Sequence, residues 1–531
     1  MRIRHLGPLT SLSRLARPFA CSLAFLLTAG SAGAQLGPTG TQFWSQDSPG
    51  IGVGLEAGAA MGQAVAAGDF DCDGFDDLAI GMPFEDLVQG DDAGRVLVLQ
   101  GGPDGITAEG DLTWGQNSPV IDDQAEPDDR FGSVLAAGDF DDDGCDDLAV
   151  GVPFEDVDGV LNAGAVNVIY GGPGGLSGDG DQFLHQDLGD LTTALETGDL
   201  FGGALAVGDL DNDGVDDLVV GVPGENVSTV ENGGMVHVLY GSIDGLETLG
   251  TTSLRRGIEL PGPAQVGENL GASLAVGDFV GFLGDELAVG APRRDVAGHD
   301  QAGAVVLISD VDGLILDSLW HQDSTDVPGA AEDFDRFGSA LAAGDFDGDG
   351  FDELAVGVPD EDREAPPVGS IGAVNVLNFV SGEHQLWTQD DFPPEAEGLN
   401  ERFGFALAAG DFDADGVDDL VAAAPLEDLG PFNMAGLVHV IPGERGTGLV
   451  AAGAQIWIQT IDPSEDGDEF GSALAVGRFA GRGAVDLAIG VPGETIGSAE
   501  GTGGVNLLYS ESLFRDGFES GDTSAWSADG P

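Results

Sequence analysis

From about residue 60 to residue 510 the chain alternates short apolar runs with polar breaks, and the runs are too short for helices. A run of the ALAAGDF type is followed by an acidic stretch and then by one of the DDLAVGVP type. Past a Gly- and Asp-rich break comes a third run, such as AGAVNVIYGG at Ala163 or GGMVHVLYG at Gly233. A fourth run is of the Trp-x-Gln-Asp type, headed by Trp44, Trp114, Trp320 and Trp387, with Leu184, Leu254 and Trp457 at the matching places of weaker copies. β-branched and apolar runs broken by Gly, Pro and Asp predict four short strands per set. No amphipathic helical stretch of useful length interrupts them.

The set recurs seven times. GDFDCDGFDDLAIGMP begins at Gly68, and related stretches begin at Gly138, Gly208, Gly344 and Gly410; two worn copies begin at Gly277 and Gly477. Upstream of each lies an apolar residue followed by Gly, at Gly62, Gly132, Gly202, Gly271, Gly338, Gly404 and Gly471. An internal period of this kind organises the whole fold, because no single unit can bury its own core. The phase matters too. Trp44 precedes the first unit, while the seventh ends near residue 509 without a Trp-x-Gln-Asp copy. A strand around Trp44 therefore completes the last unit and removes the open sheet edge. The prediction is an all-β, seven-bladed β-propeller of four-stranded blades over residues 35–510, its ring closed by the N-terminal strand.

The acidic stretches pose a question of their own. Asp69, Asp71, Asp73, Asp76 and Asp77 crowd into nine positions. Two like charges about 4 Å apart cost on the order of 1 kcal/mol in water and roughly 4 at an effective dielectric near 20. Counting Asp69 as position 1, acids fall at 1, 3, 5 and 9, with Gly74 at 6. Alternate side chains of a tight loop converge on one centre, and hard oxygen ligands in that number suit Ca²⁺. An EF-hand would need a bidentate Glu at position 12, where Ile80, Val150, Val220, Val356 and Ala422 stand instead. The loops are not EF-hands.

With Phe-Gly at its start and Gly-Val-Pro at its end, the unit resembles the FG-GAP repeat of integrin α-subunit propellers and of many secreted bacterial proteins. Its loop is similar to their D-x-D-x-D-G-x-x-D calcium loop, in which the backbone carbonyl at position 7 also coordinates. The resemblance implies about five structural Ca²⁺ ions. Carried over by position, the first loop supplies Asp69, Asp71, Asp73, Asp77 and the carbonyl of Phe75. The second supplies Asp139, Asp141, Asp143, Asp147 and Cys145; the third, Asp209, Asp211, Asp213, Asp217 and Val215. The fifth supplies Asp345, Asp347, Asp349, Glu353 and Phe351, its Glu353 longer than the motif's usual acid. The sixth supplies Asp411, Asp413, Asp415, Asp419 and Val417. The fourth loop has Val280, Phe282 and Leu283 where two acids and the glycine belong. The seventh has Arg478 and Arg482 at positions 1 and 5, guanidiniums expected to stand in for a cation beside Asp486.

Composition narrows the partners. Among 531 residues 17 are Lys or Arg and 94 are Asp or Glu, for a formal charge of −77. A chain this acidic offers no basic face to nucleic acid or to an anionic membrane. Five divalent ions offset only about ten of those charges, so most of the acidity needs another explanation. Residues 1–34 read as a removable signal peptide: four arginines, a short apolar core and an Ala32-Gly33-Ala34 cleavage site. No later segment is long and apolar enough to span a membrane. The expected location is outside a bacterial cell, secreted or at its surface. The tail, residues 511–531, resembles a short ending found on secreted bacterial proteins, a candidate sorting motif. Cys72 and Cys145 occupy different positions of successive loops, which argues against their pairing.

Catalysis is not visible. His185 with His321, and His237 with His439, share repeat positions, as structural residues do; His299 and His384 are less regular, but nothing near them forms a nucleophile–base set. The Trp residues recur regularly, which favours packing over sugar stacking. The expected function is therefore extracellular adhesion or protein recognition, without enzyme activity, through irregular loops opposite the acidic ones. A carbohydrate-binding lectin is the alternative, and a propeller hydrolase or polysaccharide lyase the third. The chain has no Arg-Gly-Asp and no second subunit, so integrin adhesion does not transfer as it stands.

Overall fold

A computed structural model describes residues 36–510 apart from residues 89, 120, 122, 192, 282–283, 312–313, 363–368, 393–399, 460–463 and 482. The expected signal peptide and the tail lie outside the described residues, as do Phe282, Leu283 and Arg482.

Seven four-stranded antiparallel sheets form a ring. Blade 1 comprises Ala64–Gly68, Asp77–Met82, Arg95–Gln100 and Thr107–Trp114, paired in that order. Blades 2 to 5 repeat the plan, and blade 6 adds a small hairpin, Gly443–Glu444 with Gly448–Leu449, before its outer strand. Blade 7 is made from both ends of the described chain: Leu474–Gly477, Asp486–Val491 and Gly504–Ser510, with Leu36–Trp44 antiparallel to the last of these. Trp44 lies opposite Val505, so the predicted closure is present. Apart from the 3₁₀ turn Gln389–Asp391, the described residues contain no helix.

The innermost strands are rich in Ala and Gly because seven of them converge. Each touches the next, and the strand of blade 7 touches that of blade 1. A Cβ on Gly68 would come within 2.9 Å of the Ala137 Cβ of blade 2, and one on Gly477 within 2.7 Å of the Ala67 Cβ of blade 1. The core lies between blades, not within them. Ala66, Phe70, Val96, Val98 and Trp114 of blade 1 pack against Phe131, Leu148, Val150 and Ile169 of blade 2. The Phe of each Phe-Gly is the hinge pin. Phe131, Phe201, Phe337 and Phe403 are fully buried, and each bridges the glycine that opens the third strand of the preceding blade. Met61 does the same to Gly503 across the seam. The outer-strand Trp residues join these cores, as their regular spacing predicts.

Antiparallel order puts the connection between first and second strands at one end of every blade. The connections between second and third strands, and from one blade to the next, lie at the other. All the acidic loops thus share one face.

Candidate metal centre

Each acidic loop has the same internal frame. In the first, Asp69 Oδ1 accepts from the N–H of Asp73 (2.9 Å) and its Oδ2 from that of Gly74 (2.9 Å), while Asp73 Oδ1 accepts from Phe75 N–H (2.9 Å). Loops 2, 3, 5 and 6 repeat these bonds at 2.9–3.1 Å, through Asp139 and Asp143, Asp209 and Asp213, Asp345 and Asp349, and Asp411 and Asp415. The glycine at position 6 has φ of +81° to +94° in all five, and a Cβ on Gly74 would meet nothing within 4 Å. Conformation, not room, requires it.

The position-9 acids begin the second strand and are pinned from behind. Asp147 Oδ1 accepts from Gly171 N–H and its Oδ2 from Phe140 N–H, both at 2.8 Å; Asp217 and Asp419 repeat this pair. Asp77 accepts from Gly101 (2.8 Å), and Glu353 from Phe346 and Asn378. Carboxylate oxygens of Asp69, Asp71 and Asp73 lie within 4.8 Å of one another, as do those of Asp139, Asp141 and Asp147, and of Asp209, Asp211 and Asp217.

That convergence has an electrostatic cost. Burial first, and then the neighbouring carboxylates, push Asp77, Asp147 and Asp217 up to about 7, and Asp419 and Glu353 up to about 8. Convergence and burial thus favour neutralisation of the loop, by a proton or by a cation. Asp141 Oδ1, moreover, is buried and accepts no hydrogen bond. An orphaned oxygen among converging hard donors fits a divalent cation of the calcium type.

In the worn loops the acid at position 9 still accepts from the backbone at the loop's start. In loop 4 Glu286 accepts from Val280 N–H (3.0 Å), and in loop 7 Asp486 accepts from Ala480 N–H (3.1 Å). Arg478 is exposed, and its backbone N–H donates to Asp76 Oδ2; its expected companion Arg482 lies outside the described residues.

Three features escaped the sequence reading. The acid at position 8 is not turned to its own loop; it clamps the neighbouring one. Asp146 Oδ2 accepts from Asp69 N–H (2.8 Å), Asp216 from Asp139 (3.0 Å), Asp352 from Asp278 (3.0 Å), Asp418 from Asp345 (3.2 Å), and Asp76 from Arg478 across the seam (2.7 Å). Part of the excess acidity is therefore blade-to-blade fastening. The second is a correction: Cys72 and Cys145 form a disulfide, with Cα atoms 4.9 Å apart. Their different loop positions do not oppose pairing, because adjacent blades are offset so that position 4 of one loop meets position 7 of the next.

The opposite face has its own fastening. The Gln of each Trp-x-Gln reaches the Glu that follows Pro in the next blade: Gln46 to Glu85 (2.7 Å), Gln116 to Glu155, Gln186 to Glu225 (2.9 Å), Gln322 to Glu361 (2.6 Å), Gln389 to Glu427 (3.0 Å) and Gln459 to Glu494. Between blades 3 and 4 arginines replace both partners, and Arg256 pairs with Asp317 while Arg294 pairs with Glu268. A Gln–Glu spacing of 39 residues in four of the six pairs, and of 38 and 35 in the others, was the available signal.

No catalytic set emerges among the described residues. His237 accompanies Ser253 (2.9 Å), but burial and the charge of Arg255 hold its pKa down to about 3, and no carboxylate orients it. His439 lies between the rings of Phe392 and Phe403.

The FG-GAP repeat family profile matches residues 61–99, 131–169, 201–239, 337–377 and 403–441, the five units that retain their acids. The chain is 35% identical to integrin alpha-5 of Xenopus laevis over 34% of its length and 16% of the integrin's. It is 30% identical to integrin alpha-V of Gallus gallus over 42% and 20%, respectively. It is also 37% identical to phosphatidylinositol-glycan-specific phospholipase D of Rattus norvegicus, over 22% of this chain and 14% of that protein. The aligned part is thus a fifth or less of each of these relatives. The solved structure of polysaccharide lyase Uly1 aligns with 90% of the chain at 11% identity and a TM-score of 0.40, a likeness that carries no argument about chemistry.

Proposed function

The chain is an FG-GAP repeat protein resembling the integrin α-subunit propeller, and from that premise we propose that it is an exported, calcium-stabilised recognition module acting outside the cell. Calcium pins the acidic loops, and the partner, a protein, docks on the opposite face. The observation that carries this reading is the division of labour between the two faces. One holds five acidic loops with the same hydrogen-bonded frame, and in loops 1, 2 and 3 their carboxylates converge. The other repeats one bridged turn from blade to blade but varies in the side chains it carries, and it exposes large apolar ones: Val88, Leu161, Val266, Phe334, Phe432 and Met434. Isolated exposed apolar residues are ordinary; their recurrence in the connections of several blades on this face supports reading it as the docking side. Arg130, held between the rings of Phe84 and Phe154 at 4.9 and 4.5 Å, adds a rigid platform there. The burial of the outer Trp residues among blade cores counts against stacking of sugars on them. No helix among the described residues is long and apolar enough to cross a membrane.

The test has two parts. Dialysed protein is expected to retain about five calcium ions and to lose stability on chelation; a metal-free protein with an unchanged melting curve sinks the calcium reading. Beads coated with the protein are expected to adhere to cells, and the double substitution V88D/F432D to abolish that adhesion. Binding on a glycan array unaffected by the double substitution redirects the assignment to a lectin, and release of oligosaccharides from polysaccharide redirects it to a lyase or hydrolase.

A further inference from the structure

The candidate ion loops are not equivalent: the position-8 clamp joins successive loops, including loop 3 to loop 2 through Asp216 and Asp139, but two pairs carry a further tie and loop 3 does not. Loops 1 and 2 are joined by the Cys72–Cys145 disulfide. Its two ends are well placed to control ligands. Cys72 is position 4 of loop 1, between Asp71 and Asp73. Cys145 is buried at position 7 of loop 2, next to Asp146, which grips Asp69 through both its carboxylate (2.8 Å) and its backbone N–H (3.1 Å). Holding residue 145 thus holds both the position-7 carbonyl of loop 2 and the first ligand of loop 1. Loops 5 and 6 are linked by a different device, from position 4 of one to position 6 of the other. The Arg445 guanidinium donates to Gly348 O, at position 4 of loop 5, and to Gly416 O of loop 6 (3.0 Å). Loop 3 has the backbone clamp of Asp285 N–H on Asp209 O, and its neighbour, loop 4, is worn.

We propose that the Cys72–Cys145 bond is a redox-sensitive clasp that sets the ion affinity of loops 1 and 2 together, leaving loops 3, 5 and 6 untouched. The inference rests on the calcium reading above. A dithiol reductant breaks the bond by transferring two electrons and two protons: each cysteine sulfur leaves as a thiol, and the two thiols of the reductant close into a disulfide. The freed loop 1 must then be ordered by the ion itself. That ordering entropy, no longer supplied by the covalent link, weakens binding.

Calorimetric titration of the whole exported chain with Ca²⁺, oxidised and after dithiothreitol, tests the proposal. Two of about five sites are expected to weaken by about tenfold on reduction, and the remaining three to keep their affinity, which also reports that the protein is still folded. The double substitution C72S/C145S is expected to match the reduced protein and to ignore reductant. R445A is expected to weaken a different pair and to leave the redox response intact. Isotherms that superimpose before and after verified reduction overturn the clasp while leaving the calcium reading in place. Absence of binding in both forms overturns both. Uniform weakening of all sites also overturns the clasp, since it assigns the bond a global structural role.

Discussion

Adjacent aspartates in each acidic loop carry different tasks. Asp213 stays with its own loop, where its Oδ1 accepts from Val215 N–H (3.0 Å), whereas Asp216, three residues on, leaves its own loop to accept from Asp139 N–H of the preceding blade (3.0 Å). Substituting each separates the roles. D213N keeps the size and the backbone bond but loses the charge, so metal analysis is expected to find one ion fewer with little change in the chelated protein's stability. D216A is expected to leave the ion count unchanged and to cost about 1–3 kcal/mol even in chelator, because Asp139 N–H loses its partner. An ion lost from D216A, or none lost from D213N, would contradict the assignment. The sequence made positions 1, 3, 5 and 9 legible through their spacing and the glycine between them. Position 8 was illegible, since an acid beside an acid reads as one more ligand. Only the approach of residues some 77 apart in sequence shows where it points.

At the scale of strands, the alternation of apolar runs with Gly, Pro and Asp was enough to place four strands per unit, and the phase of the Trp-x-Gln-Asp copies was enough to place the closing strand. What it left out are the fasteners between blades. The Gln–Glu pairs, the position-8 clamps and the disulfide each join residues of different units, and a repeat pattern read one unit at a time contains no such partners. The closing strand, Leu36–Trp44, carries a consequence that belongs to this scale. It covers the outer edge of Gly504–Ser510, and Gln42 ties it to Tyr509 and to Ile106 O of blade 1 (3.0 Å). Removing residues 36–44 exposes an apolar, fully buried strand edge and opens the seam. Light scattering is expected to show self-association of the truncated chain at concentrations where the intact chain is monodisperse. A truncated protein as monodisperse as the parent would show that the strand is dispensable for closure.

Across the whole molecule, the charge of −77 has a counterpart in buried acids that resist ionisation. On the face opposite the ion loops, Glu155 is pushed up to about 9 by burial and then by Asp123 and Asp129; Glu361 is raised to about 8, Asp129 and Asp199 to about 7, and Asp335 to about 6. Glu155 sits against Gln116, Asp123, Glu126 and Asp129. In the unfolded chain such groups titrate near 4. The folded protein therefore binds more protons than the unfolded one between about pH 4 and pH 9. By linkage, this contribution to stability is complete below pH 4 and drains away as pH rises through 6 to 9. The usual acid-denaturation profile is inverted for this part of the ring: a neutral carboxyl is at home beside Gln116, and alkali forces a second charge onto a site that already holds Asp129. Urea unfolding in chelator is expected to give higher midpoints at pH 5 than at pH 9. E155Q keeps the shape and a neutral head group but cannot ionise, so it is expected to exceed the parent at pH 9 by about 1–3 kcal/mol and to match it near pH 5. A parent whose stability rises from pH 5 to pH 9, or an E155Q curve parallel to the parent's, would mean that Glu155 is charged in the fold. The Gln–Glu fasteners would then be ordinary charge-assisted bonds, and the acidity of this face would have to be balanced from outside the chain.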